Sequence, residues 1–180
     1  MRVISGKARG IALKTPEGLN TRPTSDRVKE AMFSIIQFDL PGARVLDLFG
    51  GTGQLGIEAL SRGAQHAVFV DQGAAACKLI KENLNKVGFS SIANVIQGDY
   101  SSFLRKSSDS FDIILLDPPY AEVFLENSLK IISEIDILQS GGIIVTERPL
   151  EKALSWQFEG FDRSKDYKYG NTLVTLYRKQ

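Results

Sequence analysis

The tetrapeptide Asp117-Pro118-Pro119-Tyr120 follows directly on an apolar run, residues 111–116, which is typical of a buried strand. In an open α/β sheet, the carboxyl ends of the strands are where ligands bind. Each proline fixes φ and has no N–H, so this turn is stiff and its carbonyl oxygens can accept hydrogen bonds. A carboxylate, a rigid carbonyl and a flat ring suit a planar group that carries an amine. The alternative is a tight turn in which Asp117 caps the next helix.

A glycine-rich turn follows an earlier apolar run. Gly51, Gly53 and Gly56 fit the pattern G-x-G-x-x-G, and Asp71 lies twenty residues after Gly51, as in dinucleotide-binding folds. Asp47, however, places a carboxylate before the glycines, where it would repel a pyrophosphate and attract an ammonium group. The turn therefore indicates a nucleoside that carries an amino acid or a cation.

Two further acids end predicted strands. Asp71 can accept hydrogen bonds from both hydroxyls of a ribose. Asp99 can accept one from an adenine amino group, and Tyr100 can lie against a flat ring. The alternatives are local, with Asp71 as a helix N-cap and Asp99 as a turn cap. Acids at four successive strand ends nevertheless favour a binding site: Asp47, Asp71, Asp99 and Asp117.

From residue 43 onward the chain alternates apolar strand patterns with amphipathic helix patterns. These patterns predict strands over 43–48, 66–70, 92–97, 111–116 and 142–147, helices over 54–62, 74–87 and 124–135, and a helical turn over 101–106. Residues 154–158 and 172–177 alternate as strands and should pair antiparallel at the sheet edge. A parallel sheet with right-handed crossovers and helices on both faces follows.

The N-terminal part of the chain is basic. Residues 1–29 hold seven Lys or Arg against two acids, an excess of five positive charges in a chain whose net charge is +1. Residues 2–4 and 11–13 flank a glycine-bearing basic tip and indicate a small β-hairpin, and a helix should follow over 25–38. The charge indicates a polyanion as partner, and an ordinary solvated surface is the alternative.

Composition narrows the class of protein. The chain of 180 residues fits one domain, in which we expect residues 1–23 to form an N-terminal hairpin extension and residues 24–180 the core. One cysteine and one histidine, Cys77 and His66, argue against an internal disulfide or a metal site. Without a long apolar run or a signal-peptide pattern, we expect a cytoplasmic monomer that does not bind a membrane.

Together the glycine turn, the strand-end acids and Asp-Pro-Pro-Tyr resemble class I S-adenosylmethionine-dependent methyltransferases that act on exocyclic amines. Four more blocks are similar, end to end, to the bacterial small-subunit (16S) ribosomal RNA guanine-N2 methyltransferase family (RsmD type): Met1–Gly10, Thr21–Phe33, Gly56–Ala64 and Tyr169–Thr172. The resemblance implies a Rossmann-like α/β fold. Its mostly parallel seven-stranded sheet would carry an antiparallel edge hairpin, with a small N-terminal β-hairpin beside it.

The resemblance also implies residue roles. The residues expected to bind S-adenosylmethionine are Asp47, Phe49, Gly50, Gly51, Gly53, Asp71, Gln72, Asp99 and Tyr100. The residues expected to act in catalysis are Asp117, Pro118, Pro119 and Tyr120, with Asp117 and the Pro118 carbonyl orienting the guanine amine and Tyr120 stacking on the base. The partner would be 16S ribosomal RNA, free or in a partly assembled small subunit. It would be bound by Arg2, Lys7, Arg9, Arg22, Thr24 and Arg27, with the target base splayed out.

Two alternative functions stay open at this point. A DNA adenine-N6 methyltransferase shares the Asp-Pro-Pro-Tyr motif, but it would normally need additional sequence for reading duplex DNA. A nicotinamide-dependent oxidoreductase, or an inactive nucleotide-binding module, shares the glycine pattern. Asp47 and the Asp-Pro-Pro-Tyr tetrapeptide argue against the second alternative.

Overall fold

A computed structural model describes residues 1–16, 26–119, 122–150, 158 and 160–180. Its seven strands form one sheet. In chain order they are β1 Arg44–Asp47, β2 His66–Asp71, β3 Ala93–Gln97, β4 Phe111–Leu116, β5 Leu138–Pro149, β6 Phe161–Tyr169 and β7 Thr172–Lys179. Across the sheet the order is β3-β2-β1-β4-β5-β7-β6, so the mostly parallel seven-stranded sheet expected from the sequence is confirmed.

Strands β1 to β5 are parallel, and β7 runs antiparallel to both β5 and β6. The carboxyl ends of β1 to β5 therefore share one edge of the sheet, which we call the carboxyl edge. Because β7 starts opposite the end of β5, with Thr172 paired to Pro149, the turn between β6 and β7 lies at the carboxyl edge as well.

Five helices cover the two faces of the sheet. Their bounds are α1 Asp26–Ile35, α2 Gln54–Ser61, α3 Ala74–Val87, α4 Tyr100–Lys106 and α5 Glu122–Glu134, with a single 3-10 turn at Ser90–Ile92. Helices α1, α2 and α3 contribute buried side chains to one apolar cluster, and α4 and α5 contribute to a second cluster on the opposite face. None of the helices in the described ranges is long and apolar enough to cross a membrane.

The antiparallel edge pair exists, but the predicted position of one of its strands is wrong. The partner of β7 is Phe161–Tyr169 and not residues 154–158. Phe158 forms an isolated bridge to Phe161, and residues 151–157, which include Trp156, lie outside the described residues. The sequence pattern missed β6 because five successive residues after Phe161 are exposed, so no apolar alternation marks the strand.

The N-terminal hairpin is present as a single antiparallel bridge between Arg2 and Ala12. Three backbone hydrogen bonds support it, from Val3 N to the Ile11 oxygen at 3.0 Å, from Gly10 N to the Val3 oxygen at 2.9 Å and from Leu13 N to the Met1 oxygen at 3.1 Å. Val3, Ala8 and Leu13 are buried and belong to the same apolar cluster as α1 and α2. The hairpin therefore contributes to the core of the protein.

Helix α2 anchors this hairpin along its length. The Glu58 carboxylate, which is fully buried, accepts hydrogen bonds from the backbone N–H groups of Ile4 at 2.8 Å and Ser5 at 3.0 Å. Further along α2, the Ser61 carbonyl accepts from Lys7 N at 2.8 Å and the Ser61 hydroxyl accepts from Ala8 N at 2.9 Å. These bonds satisfy backbone donors that would otherwise be buried without partners.

One lysine of the basic N-terminal stretch is not on the surface. Lys29 is fully buried, its Nζ donates to the Arg2 carbonyl at 2.6 Å, and it lies 3.7 Å from Glu58. Burial lowers the pKa of Lys29, and the Glu58 charge opposes that shift. Of the seven positive charges counted in residues 1–29, this one holds the hairpin to the core and cannot meet a polyanion.

Candidate cofactor and substrate site

The glycine turn lies at the carboxyl edge between β1 and α2, and its backbone is held against β2. Gly51 and Gly53 have φ of 54° and 79°, which favour glycine. Gly50 N donates to the Val70 carbonyl at 2.9 Å, and Gly51 N donates to Asp71 Oδ2 at 2.9 Å. The turn therefore has a defined shape before any ligand binds.

Gly56 brings α2 close to the sheet. A Cβ at this position would lie 2.3 Å from Cε1 of Phe69, so any other residue would push the helix away from β2. In this position Gly56 N donates to Asp47 Oδ2 at 2.9 Å. The third glycine of the pattern thus fixes the distance between the first turn of α2 and the carboxylate that ends β1.

Asp47 is the most perturbed carboxylate at this edge. Only 1% of it is exposed. Burial raises the pKa of Asp47 to about 7; the hydrogen bond from Gly56 opposes the rise, and the negative charges of Asp117 and Asp71 add to it. The carboxylates of Asp71, at the end of β2, and Asp117, directly after β4, are thus near enough to repel the charge of Asp47, as the shared strand edge predicted. Such a site attracts a cation.

Asp71 shapes the glycine turn and the start of α3. Its Oδ2 accepts from Gly51 N, and its Oδ1 accepts from Gly73 N at 2.8 Å. Gly73 is the N-cap residue of α3 and no side chain among the described residues caps that helix, so the alternative in which Asp71 is the N-cap is wrong. A carboxylate oxygen can accept two hydrogen bonds, which leaves room for ribose hydroxyls. Gln72, between these residues, is exposed.

Asp99 caps helix α4. Its Oδ1 accepts from Ser102 N at 2.9 Å and from the Ser101 hydroxyl at 2.8 Å, and these bonds lower the pKa of Asp99. The local alternative from the sequence is therefore observed. Neither bond uses the other oxygen, Oδ2, and the role of Asp99 toward an adenine amine stays a prediction.

An aromatic wall stands beside Asp99 at the carboxyl edge. The ring of Phe49 lies 5.2 Å from that of Tyr100 and 6.3 Å from that of Phe124, and Tyr100 meets Phe124 at 5.7 Å in an edge-on arrangement. Phe124 is 36% exposed and its neighbour Val123 62% exposed. The sequence analysis places Phe124 in a helix and gives it no role in the site. Its position shortly after Asp-Pro-Pro-Tyr could have indicated that it lies near the site.

The loop after β4 carries the predicted catalytic residues. Asp117 and Pro118 are half-buried and Pro119 is exposed. Tyr120 lies outside the described residues. The electrostatic effect on Asp47 places the Asp117 carboxylate beside the glycine turn. The catalytic roles of these residues stay predictions.

The predicted RNA-binding residues fall into two places. Arg2, Lys7, Arg9 and Arg27 are exposed, and Arg22 and Thr24 lie outside the described residues. Lys7 and Arg9 sit beside Ser61, at the end of α2 that is about 10 Å from the glycine turn. Arg2 pairs with Asp26 at 3.4 Å, so it lies with Arg27 at the start of α1.

Asn83 is a site residue that sequence reasoning missed. It is fully buried on α3; its Oδ1 accepts from Lys14 N at 2.7 Å, and its Nδ2 donates to the carbonyls of Lys14 at 3.1 Å and Thr52 at 2.9 Å. The Thr52 hydroxyl also contacts the Met1 sulfur at 3.3 Å. Asn83 thereby links the glycine turn to the N-terminal hairpin. A polar residue beside the apolar positions Ile80 and Leu84 was its signal in the sequence.

Comparison with known proteins agrees with this architecture. The model of the family described as "Conserved hypothetical protein 95" matches residues 1–178. "Putative rRNA methyltransferase YlbH" of Bacillus subtilis is 41% identical, with 100% of both chains covered. Ribosomal RNA small subunit methyltransferase D of Escherichia coli is 29% identical, over 100% of this chain and 90% of that one. The solved structure "Putative methyltransferase yhhF from Escherichia coli" has 27% identity and a TM-score of 0.91, over 100% of this chain and 98% of that one.

Proposed function

Because the chain belongs to the family described as "Conserved hypothetical protein 95", we propose that it transfers a methyl group from S-adenosylmethionine to the exocyclic N2 amine of a guanine in small-subunit ribosomal RNA. The observation that carries the proposal is the convergence of Asp47, Asp71 and Asp117 at three neighbouring strand ends, where the charges of Asp71 and Asp117 repel that of the buried Asp47. A cationic cofactor relieves that repulsion, whereas the pyrophosphate of a dinucleotide increases it.

The residues at the carboxyl edge fit such a cofactor. S-adenosylmethionine carries a sulfonium and an ammonium, and when bound it supplies an electrophilic methyl group. Gly51 is exposed, and the place of a Cβ there is open, with the nearest atom, the Phe49 oxygen, at 3.9 Å. The Asp47 carboxylate would hold the cationic part, Asp71 the ribose, and Asp99 with the Phe49–Tyr100 wall the adenine.

The chain's own contribution to methyl transfer is positioning. The Asp117 carboxylate and the Pro118 carbonyl would accept hydrogen bonds from the two N–H groups of the target amine, which would free the nitrogen lone pair from conjugation and aim it at the methyl carbon. S-adenosylmethionine would supply the methyl group and keep the electron pair of the S–C bond, and Asp117 or water would take the surplus proton from the nitrogen. Holding both partners in one geometry supplies most of the acceleration.

Two lines of support favour RNA as the substrate. The relatives named above include a small-subunit ribosomal RNA methyltransferase that shares the full length of this chain. The chain also places exposed arginines, Arg2 and Arg27, at the start of α1, where they can neutralise phosphates.

Two measurements test the proposal. S-adenosylhomocysteine should raise the melting temperature of the protein, and NAD should leave it unchanged. With labelled S-adenosylmethionine, the protein should methylate small-subunit ribosomal RNA taken from cells that lack it. Stabilisation by NAD alone would favour the oxidoreductase alternative. Transfer of the labelled methyl group to adenine of duplex DNA would indicate a DNA methyltransferase.

A further inference from the structure

The hairpin formed by β6 and β7 lies at the same sheet edge as Asp117, and the proposed function gives it no role. Strand β5 separates β7 from β4, with Leu116 paired to Thr146, Thr146 paired to Thr175, and Thr172 paired to Pro149. Strands are about 4.8 Å apart and rise about 3.3 Å per residue, so the turn at Tyr169–Thr172 is about 12 Å from Asp117. That distance suits nucleotides next to a base held at Asp117.

Among the described residues, one arginine of this hairpin forms an ion pair with an acid and two of its lysines do not. Arg163 is paired with Asp166, which also accepts from the Thr175 hydroxyl at 2.9 Å. Lys165 and Lys168 are exposed, and neither lies within ion-pair distance of a carboxylate among the residues that the structure describes. Lys168, one residue before the end of β6, therefore presents positive charge to solvent at the carboxyl edge, and Lys165, paired with Leu176 in the middle of β7, presents it further from that edge.

Two aromatic rings lie on the same face of β6 as Lys165, whereas Lys168 points to the other face. Lys165 Nζ lies 5.2 Å from the centre of the Tyr167 ring, and Tyr167 and Tyr169 are half-buried against the cluster that includes α1. Packing fixes both rings on the α1 face of the sheet while part of each remains accessible. Positive charge interleaved with accessible rings is the surface that single-stranded nucleic acid uses, with phosphates on the cations and bases on the rings.

The turn itself is held in place. The Asn171 carbonyl accepts from Leu150 N at 2.8 Å, which ties the turn to the residue that follows β5. Arg2 pairs with Asp26 at the start of α1, and the neighbouring Met1 sulfur contacts the Thr52 hydroxyl of the glycine turn, so the first residues of α1 lie toward the carboxyl edge. By contrast, Lys7 and Arg9 lie at the far end of α2.

We propose that the β6–β7 hairpin is an RNA-binding surface, in which Lys165 and Lys168 contact phosphates of the single-stranded nucleotides that flank the methylated guanine. This proposal rests on the proposed function, because it needs an RNA substrate at Asp117. It adds a second contact surface to the one at the start of α1.

The test compares two charge reversals of equal size. Lys165→Glu/Lys168→Glu changes the hairpin, and Lys86→Glu/Lys106→Glu changes exposed lysines at the ends of α3 and α4 that point away from the carboxyl edge. RNA affinity of both variants and of wild type is measured at several salt concentrations. We expect the hairpin variant to bind RNA about tenfold more weakly at low salt, with a salt slope smaller by about 1.4, and the control variant to match wild type.

Methylation kinetics complete the test. The hairpin variant should show a raised KM for RNA, with kcat at saturating RNA and affinity for S-adenosylhomocysteine unchanged. Equal salt slopes in the two variants would overturn the proposal and leave the lysines as protection of an exposed edge strand. A wild-type protein that neither binds nor methylates ribosomal RNA would instead refute the proposed function.

Discussion

The site is organised around the carboxylate of Asp47, whose burial makes the ionised form unfavourable. Asp47 is buried beside two other acids, and its pKa is about 7. The ordinary pKa of an aspartate is near 3.9, so between about pH 4 and pH 7 the folded protein holds a proton there that the unfolded chain has released. The contribution of Asp47 to stability therefore falls as the pH rises through that window.

This sign leads to a prediction for Asp47→Asn. The amide oxygen can still accept from Gly56 N, but the buried charge is gone. We expect the free energy of unfolding of the ligand-free variant to exceed that of wild type by about 1–3 kcal/mol at pH 8 and to match it near pH 4, in urea denaturation. At the same time the variant should bind S-adenosylmethionine more weakly. A variant that is less stable than wild type at pH 8 would contradict the assigned origin of the raised pKa.

The cofactor itself should respond to pH for the same reason. A cation bound beside Asp47 requires the ionised carboxylate, so the affinity of wild type for S-adenosylmethionine should rise between about pH 5.5 and about pH 7.5. Calorimetry at both values measures this change. In Asp47→Asn the affinity should be the same at both, and an equal rise in the variant would assign the titration to another group.

Asp117 is expected to act on the amine and not on the cofactor. We predict that Asp117→Ala raises the activation free energy of methyl transfer by about 2–4 kcal/mol, which is the cost of losing one preorganised contact in a transition state. S-adenosylhomocysteine should still bind. The matched control is Asp109→Ala, which removes an acid that pairs with Arg44 on the surface. Turnover near the wild-type rate in Asp117→Ala would remove this residue from the reaction.

The sequence predicted the acids at the strand ends because each follows an apolar run, a local pattern. It could not predict which of them would be buried or already bonded. Asp99 caps helix α4, and Asp71 accepts hydrogen bonds from the N–H groups of Gly51 and Gly73. Those partners come from backbone geometry at the ends of other elements, which residue spacing does not show.

At the scale of elements, the N-terminal hairpin and α2 behave as one unit. From the sequence we predicted a basic RNA-binding extension outside the core, because the charges and glycines of the hairpin can be read from the sequence. Its buried partners on α2 cannot. Glu58 and Ser61 of α2 accept hydrogen bonds from backbone N–H groups of the hairpin. Asn83 then connects the hairpin to the glycine turn.

Two glycines of this hairpin provide a matched test of the anchoring. Gly6 and Gly10 have φ of 83° and 84°, so alanine is strained at both by about 1 kcal/mol. Only at Gly6 would the new Cβ meet another group, the Ser61 oxygen at 1.8 Å; at Gly10 nothing lies within 4 Å.

We therefore predict that Gly6→Ala lowers the free energy of unfolding by about 1–3 kcal/mol more than Gly10→Ala does, the usual cost of overpacking. Denaturation of the two variants measures the difference. Because the hairpin contacts the glycine turn, Gly6→Ala should also weaken S-adenosylhomocysteine binding relative to Gly10→Ala. Equal destabilisation by the two substitutions would mean that the tip of the hairpin is not packed on α2.

At the scale of the whole molecule, the carboxyl edge brings together groups from distant parts of the sequence. The strand-end acids, the Asp117 loop and the β6–β7 turn all lie along this edge. A net charge of +1 conceals this division between an acidic site and basic surroundings. The arrangement fits a protein that binds a small cation and a large polyanion at one edge.

The most direct measurement is mass mapping of methylated guanines in small-subunit ribosomal RNA from cells with and without this protein. We predict that one N2-methylguanine disappears when the protein is absent. Wild type should restore it and Asp117→Ala should not. An unchanged set of N2-methylguanines in cells that lack the protein would contradict the central claim.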